Sequence, residues 1–98
     1  MYARVSMVSA VSPDRAEQGI SEFRDKVAPW VREQGGKGAI MLVDRISGNG
    51  VAITLWDSEE AMRASENAAD ELRRGAAEAM GSPAPPQVER YEVAVFEM

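Results

Sequence analysis

Three side chains in this sequence have the means for chemistry on a small organic molecule: Trp56, Arg4 and Tyr2. An indole N–H donates a hydrogen bond from an otherwise apolar body, a guanidinium offers a planar fork to a carboxylate or phenolate, and a phenol can give up a proton. Each also has a plainer use. A tryptophan where a strand runs into a helix anchors one on the other, and that reading of Trp56 is preferred, with the indole still available as a donor. Arg4, with Arg90 and Glu92 near the end of the chain, reads first as part of a surface or interface ion pair. Tyr2 and Tyr91 suit a subunit interface. Asp44 and Arg45 read as a solvated pair, and Met7, Met41, Met62 and Met80 as fillers of irregular gaps. No residue declares itself as the catalytic acid, base or nucleophile.

What is missing is more decisive. The 98 residues include no histidine and no cysteine. The commonest general base near neutral pH and the commonest transition-metal ligand are therefore absent. Ser-His-Asp and Cys-His catalysis, zinc held by histidine or thiolate, and haem on a proximal histidine are all excluded. The carboxylates on both helices read as solvated and show no metal-ligand clustering. Gly48-Asn49-Gly50 is a turn, with no helix behind it to make a phosphate loop. No cofactor and no metal are expected.

A net charge of -5 makes phosphate backbones and anionic membranes poor partners. No apolar run is long enough to span a bilayer, and the first residues lack the apolar core of a signal peptide. With the absence of cysteine, these features predict a cytoplasmic protein. The length suits one domain, 1–98, with a modest core.

The elements that must position these side chains centre on residues 38–62. Ala39-Ile40-Met41-Leu42-Val43 and Val51-Ala52-Ile53-Thr54-Leu55-Trp56 read as two strands apolar on both faces, joined by a turn at Ser47-Gly48-Asn49-Gly50. Before them, residues 2–9 alternate as a strand. Ser12-Pro13-Asp14 then opens a helix whose stripe is Ala16, Ile20, Phe23, Val27 and Val31. Pro29 predicts a kink, and Gly35-Gly36 the end. After the hairpin, Asp57 as cap with Glu60 predicts a second helix with the stripe Ala61, Ser65, Ala68, Leu72, Ala76 and Met80, stopped by Gly81. Ser82-Pro83-Ala84-Pro85-Pro86 is a stiff connector to a last strand over residues 88–96.

The expected fold class is α+β: a ferredoxin-like βαββαβ unit with a four-stranded antiparallel sheet and two helices on one face. Two helices cover one face only, while the strands are apolar on both. The second face is expected to meet the same face of another copy, giving a homodimer.

The segment Ile53-Thr54-Leu55-Trp56-Asp57-Ser58-Glu59-Glu60-Ala61-Met62 resembles the strand-to-helix motif of the antibiotic-biosynthesis monooxygenase family. The order of elements matches that family over nearly the whole chain. The resemblance implies a dimeric α+β barrel with a pocket between sheet and helices in each subunit, and Trp56 falls on the family's pocket tryptophan. It implies binding of a small apolar or aromatic ligand, with cofactor-independent oxygenation of a polyketide-like substrate as the activity. The alternative is a non-catalytic ligand-binding or interaction module on the same dimer. The haem-degrading branch carries a histidine on the second helix, absent here, which counts against haem degradation. An asparagine late in the first strand, shared with the oxygenase branch, is replaced here by Ser6 and Met7. The pocket candidates are Trp56, Arg4, Tyr2, Phe23 and Leu72.

Overall fold

The structure, a computed structural model, describes residues 1–9, 12–79, 81 and 86–98. In chain order it contains β1 (Tyr2–Val8), α1 (Ala16–Glu22), α2 (Ala28–Glu33), β2 (Gly38–Val43), β3 (Gly50–Trp56), α3 (Glu59–Ala64), α4 (Glu66–Ala79) and β4 (Gln87–Glu92). The strands pair antiparallel in the order β2-β3-β1-β4. This is the expected βαββαβ arrangement, with each of its two helices divided in two.

Both divisions have a local cause. Pro29 has no N–H for the carbonyl of Asp25, and its ring crowds that carbonyl. The helix relieves this one turn earlier, where a π-helical turn at Phe23–Val27 separates α1 from α2. The second division lies at Ser65. In a continuous helix the Met62 carbonyl would accept from the N–H of Glu66. Here it accepts from the Ser65 backbone N–H at 3.3 Å, from the Ser65 hydroxyl at 2.8 Å, and from the Arg4 guanidinium. The break shifts the helical register. Met62, Ser65, Ala69 and Ala77 are buried, whereas Ala68 is exposed. The single stripe expected through Ala61, Ser65 and Ala68 is corrected accordingly; Met80, its last member, lies outside the described residues.

Other expectations also shift. Ser58, not Asp57, caps the second helix, its hydroxyl accepting from the Ala61 N–H at 3.1 Å. Ser12 makes no side-chain cap; its carbonyl accepts from Arg15 N–H in a 3-10 turn at Pro13–Arg15. The last strand ends at Glu92 rather than at residue 96; Glu92 stands opposite Tyr2, the first residue of β1. The two central strands are β1 and β3, so β2 is an edge. Most of the proline-rich connector, 82–85, lies outside the described residues.

Register decides what each sheet face carries. Arg4 stands opposite Thr54 and Arg90, Tyr2 opposite Trp56 and Glu92, and Ser6 opposite Ala52 and Val88. These residues share the face on which α1 to α4 lie. Ala3, Val5 and Met7 share the other face with Val51, Ile53 and Leu55 of β3 and with Ile40 and Leu42 of β2. That face has no helix on it, and Leu42 is 53% exposed.

The helix-to-sheet joint is close-packed at one point. Gly36 follows α2 with its N–H on the Val31 carbonyl at 2.8 Å. A Cβ there would stand 2.4 Å from a Val31 methyl and 2.9 Å from the Val31 carbonyl. Only glycine lets the chain pass between Val31 and β3.

Candidate functional site

Strand alternation aims Arg4 into the space beneath the helices, and its side chain is only 3% exposed. Burying a guanidinium is costly unless its donors are satisfied. They are met by the Met62 carbonyl, by Ser65 Oγ at 2.8 Å and by Glu66 Oε1 at 3.2 Å. Arg4 also lies over the Trp56 indole, 5.5 Å from the ring centroid. Burial lowers its pKa from the ordinary value; Glu66 opposes the shift, while Arg73 and Arg90 add to it. The preferred expectation of a surface or interface ion pair is thus corrected for Arg4: the alternation of β1 and the break at Ser65 place it inside.

Glu66, at the start of α4, gathers three arginines. It takes two bonds from Arg90, at 2.7 and 2.8 Å, one from Arg4, and lies 3.8 Å from Arg73. Hydrogen bonding from Arg90 is the main cause that holds its carboxyl down at about 2, and burial works against it. The expectation that the helix carboxylates are all solvated is corrected here. Two carboxylates, Glu66 and Asp70, stand against the guanidiniums of Arg4, Arg73 and Arg90, a local surplus of positive charge in a chain of net charge -5.

Beside this corner, between the sheet and the helices, is a cavity of about 50 Å³. Its walls are Phe23 and Val27 of the π turn, Trp30 of α2, Val8 and Ala52 of the sheet, and Ala69, Leu72 and Ala76 of α4; its polar lining is Arg4, Ser6, Thr54 and Arg73. The Arg73 side chain is 12% exposed. Its Nη2 reaches Asp70 at 3.1 Å, and its Nη1 is buried with no partner among the described residues.

The cavity brings together three of the five pocket candidates, Arg4, Phe23 and Leu72, and leaves out Trp56 and Tyr2. Trp56 is fully buried in the core with Val31 and Met62; its indole N–H bonds Thr54 Oγ1 at 3.0 Å, and its ring meets Trp30 edge-on at 5.9 Å. It supports Arg4 and Trp30, which line the cavity. Tyr2 instead lines surface grooves with Glu59 and its neighbours. Arg73, Thr54 and Ser65 were not singled out from the sequence as site residues. Arg73 could have been: Ala69 and Ala77 lie four positions before and after it on one helix face, and a long side chain among small ones there has little else to cover.

Among the described residues no group of three carboxylates could hold a metal ion, and no helix is long and apolar enough to cross a membrane.

Similarity to known proteins fits this geometry. A monooxygenase from the ActVA-Orf6 gene of Streptomyces coelicolor, solved in complex with nanaomycin D, superposes with a TM-score of 0.76 over 99% of this chain and 92% of its own, at 22% identity. SnoaB, a cofactor-independent oxygenase from Streptomyces nogalater, gives 0.69 over 97% and 94% at 19% identity. This chain has the fold of the antibiotic biosynthesis monooxygenases. A dimeric ferredoxin-like protein from an uncultured marine organism shares the fold as well, with a TM-score of 0.66 at 10% identity over 100% of this chain and 99% of its own. No protein-family model matches the sequence. Two uncharacterised Mycobacterium tuberculosis proteins, Rv2557 and Rv2558, are 37% and 36% identical over 97 residues, or 98% of this chain. The chain spans only 42% and 40% of those relatives' length.

Proposed function

We propose that this protein binds a small aromatic molecule carrying an anionic oxygen in the cavity between sheet and helices, and that it acts there as a cofactor-independent oxygenase. One observation carries the reading: Arg73 lines the cavity together with Arg4, and its Nη1 is buried without a partner among the described residues. A buried donor without an acceptor is costly, and a phenolate or carboxylate would satisfy it. The likeness to a monooxygenase solved with nanaomycin D and to a cofactor-independent oxygenase supports the reaction class.

Among the described residues no carboxylate lines the cavity. The residues act on the substrate's own acidity. Arg73 and Arg4 stabilise the enolate of an anthrone-type ketone, and the apolar walls exclude water from it. The carbanion then reacts directly with dioxygen; one CH2 and one O2 give a ketone and one water. A cavity of about 50 Å³ is far below the roughly 300–1,000 Å³ of a drug-sized site. Two of the four α4 residues on its wall are alanine, and a fused ring system enters by moving α4 off the sheet. The smallness of the cavity also favours a second reading, a non-catalytic module for a smaller ligand.

We further propose that the protein is a homodimer joined through the helix-free sheet face, where apolar side chains of β1, β2 and β3 lie together.

Oxygen uptake with anthrones and naphthols tests the activity. Turnover that drops at least tenfold in Arg73→Met, with folding intact, is the expected result. Saturable binding without uptake would establish the second reading, and neither binding nor uptake would defeat both.

A further inference from the structure

α4 is unevenly secured. Its start is tied to the sheet, where Glu66 accepts from Arg4 of β1 and from Arg90 of β4. Its last residues are Gly75-Ala76-Ala77-Glu78-Ala79. Glu78 is exposed, and the other side chains are a methyl or less, so the segment removes little apolar area from water. Yet it carries part of the site: Ala76 lines the cavity, and Ala77 beside it is buried. The helix passes from anchored to lightly held at Gly75.

A glycine inside a helix weakens it relative to alanine, because its backbone has the most freedom to lose. Two physical needs can justify that cost, and Gly75 has neither. The first is a close approach, as at Gly36. Outside its own helix, a Cβ at Gly75 would have as its nearest neighbour a carboxylate oxygen of Glu22 on α1, at 3.8 Å, an ordinary van der Waals contact. The second is a positive φ, which among the described glycines belongs to Gly35, Gly48 and Gly81. Alanine would fit and would be more stable. What glycine gives position 75 is a point at which α4 bends readily.

We propose that Gly75 is the hinge that admits the ligand: α4 bends there, residues 76–79 swing off the sheet, and the cavity of about 50 Å³ widens at Ala76. The inference rests on the ligand site proposed above and names what controls entry to it. Bending is uphill in the free protein. The ligand therefore binds a minor, open form, and its apparent affinity is reduced by the fraction that is open. A change that stiffens position 75 makes the chain more stable and a weaker binder. A change that loosens the same segment does the reverse. Arg4 and Arg73, on the anchored side of the hinge, stay beside the ligand while the far wall moves.

Stability and binding are measured together, by urea unfolding and by calorimetric titration with anthrone under argon, where it is not consumed. Gly75→Ala should raise the urea midpoint and weaken anthrone binding about fivefold, the helix preference of alanine over glycine expressed as an equilibrium constant. Glu78→Gly, an exposed change in the same segment, should lower the midpoint and tighten binding by a similar factor. Opposite movement of stability and affinity is the signature. Should Glu78→Gly not fold, Gly75→Ala decides alone. If Gly75→Ala is more stable and binds as tightly as the unaltered chain, the hinge is refuted and the ligand site stands. If its stability and affinity fall together, Gly75 serves packing and the hinge is refuted again. If the unaltered chain binds no anthrone, the ligand site falls and the hinge with it.

Discussion

The two faces of one sheet are built from the same three strands and meet different fates. On the helix side, β1 and β3 contribute Tyr2, Arg4, Ser6, Thr54 and Trp56, a polar and aromatic set. On the bare side they contribute Ala3, Val5, Met7, Val51, Ile53 and Leu55, with Ile40 and Leu42 from β2. The more polar face is the one enclosed by the protein's own helices; the aliphatic face carries no helix, with Ala3 and Leu55 buried on it and Ile40 and Leu42 exposed. A chain folding for itself alone would do the reverse. The helix side keeps its polar groups because Met62, Ser65, Glu66 and Thr54 satisfy them one by one. The bare side needs no such matching, only area removed from water, which another apolar face provides.

The comparison can be broken most severely at Arg4. Arg4→Leu removes a buried cation from its three acceptors and leaves the Met62 carbonyl and Glu66 short of donors. Urea unfolding should show a loss of about 3 kcal/mol. A loss under 1 kcal/mol would mean that the polar matching on this side is not what holds α3 and α4 to the sheet. On the bare side, Leu42→Glu should leave the fold unchanged by circular dichroism and weaken self-association about 100-fold, or about 2.7 kcal/mol, in sedimentation equilibrium. Unchanged association would show that the aliphatic face is not the contact.

Packing sharpens the same contrast. Gly36→Ala adds one methyl at the crowded joint and should cost about 2 kcal/mol, because Val31 and the β3 backbone have nowhere to go. Ile40→Val on the bare side should be nearly neutral in the dissociated chain. Acid offers a gentler probe. Glu66 titrates at about 2, below the ordinary 4.5, so its ion pairs contribute fully above about 4.5 and are lost as the pH falls toward 2. Stability should decline over that window, and Glu66→Gln should flatten the decline; a slope unchanged in the variant would remove Glu66 from the account. The smallest effect belongs to Arg63→Ala, which loses an exposed pair with Glu59 and should cost no more than about 0.5 kcal/mol.

Much of the architecture was legible beforehand. Alternation in residues 2–8, the stripe through Phe23 and Val31, and the turn at Gly48, whose φ is +84°, are local signals with a period, and they produced the right elements in the right order. Arg4, Phe23 and Leu72, named as pocket candidates alongside the family resemblance, line the cavity. Trp56 was legible as an anchor and is one, although it is not part of the lining of the cavity beside Arg4.

Sequence by itself determined the alternation that sorts the strands into two unlike faces, and it excluded histidine and thiol chemistry outright. Both follow from composition and from the fixed period of a strand. Only the tertiary structure decided that Arg4 is an interior residue, that the second helix breaks at Ser65, and that Glu66 serves three arginines. Those outcomes depend on which carbonyls and carboxylates stand within about 3 Å of one guanidinium. Its acceptors lie more than 50 residues along the chain, at a distance where no local period relates one position to another.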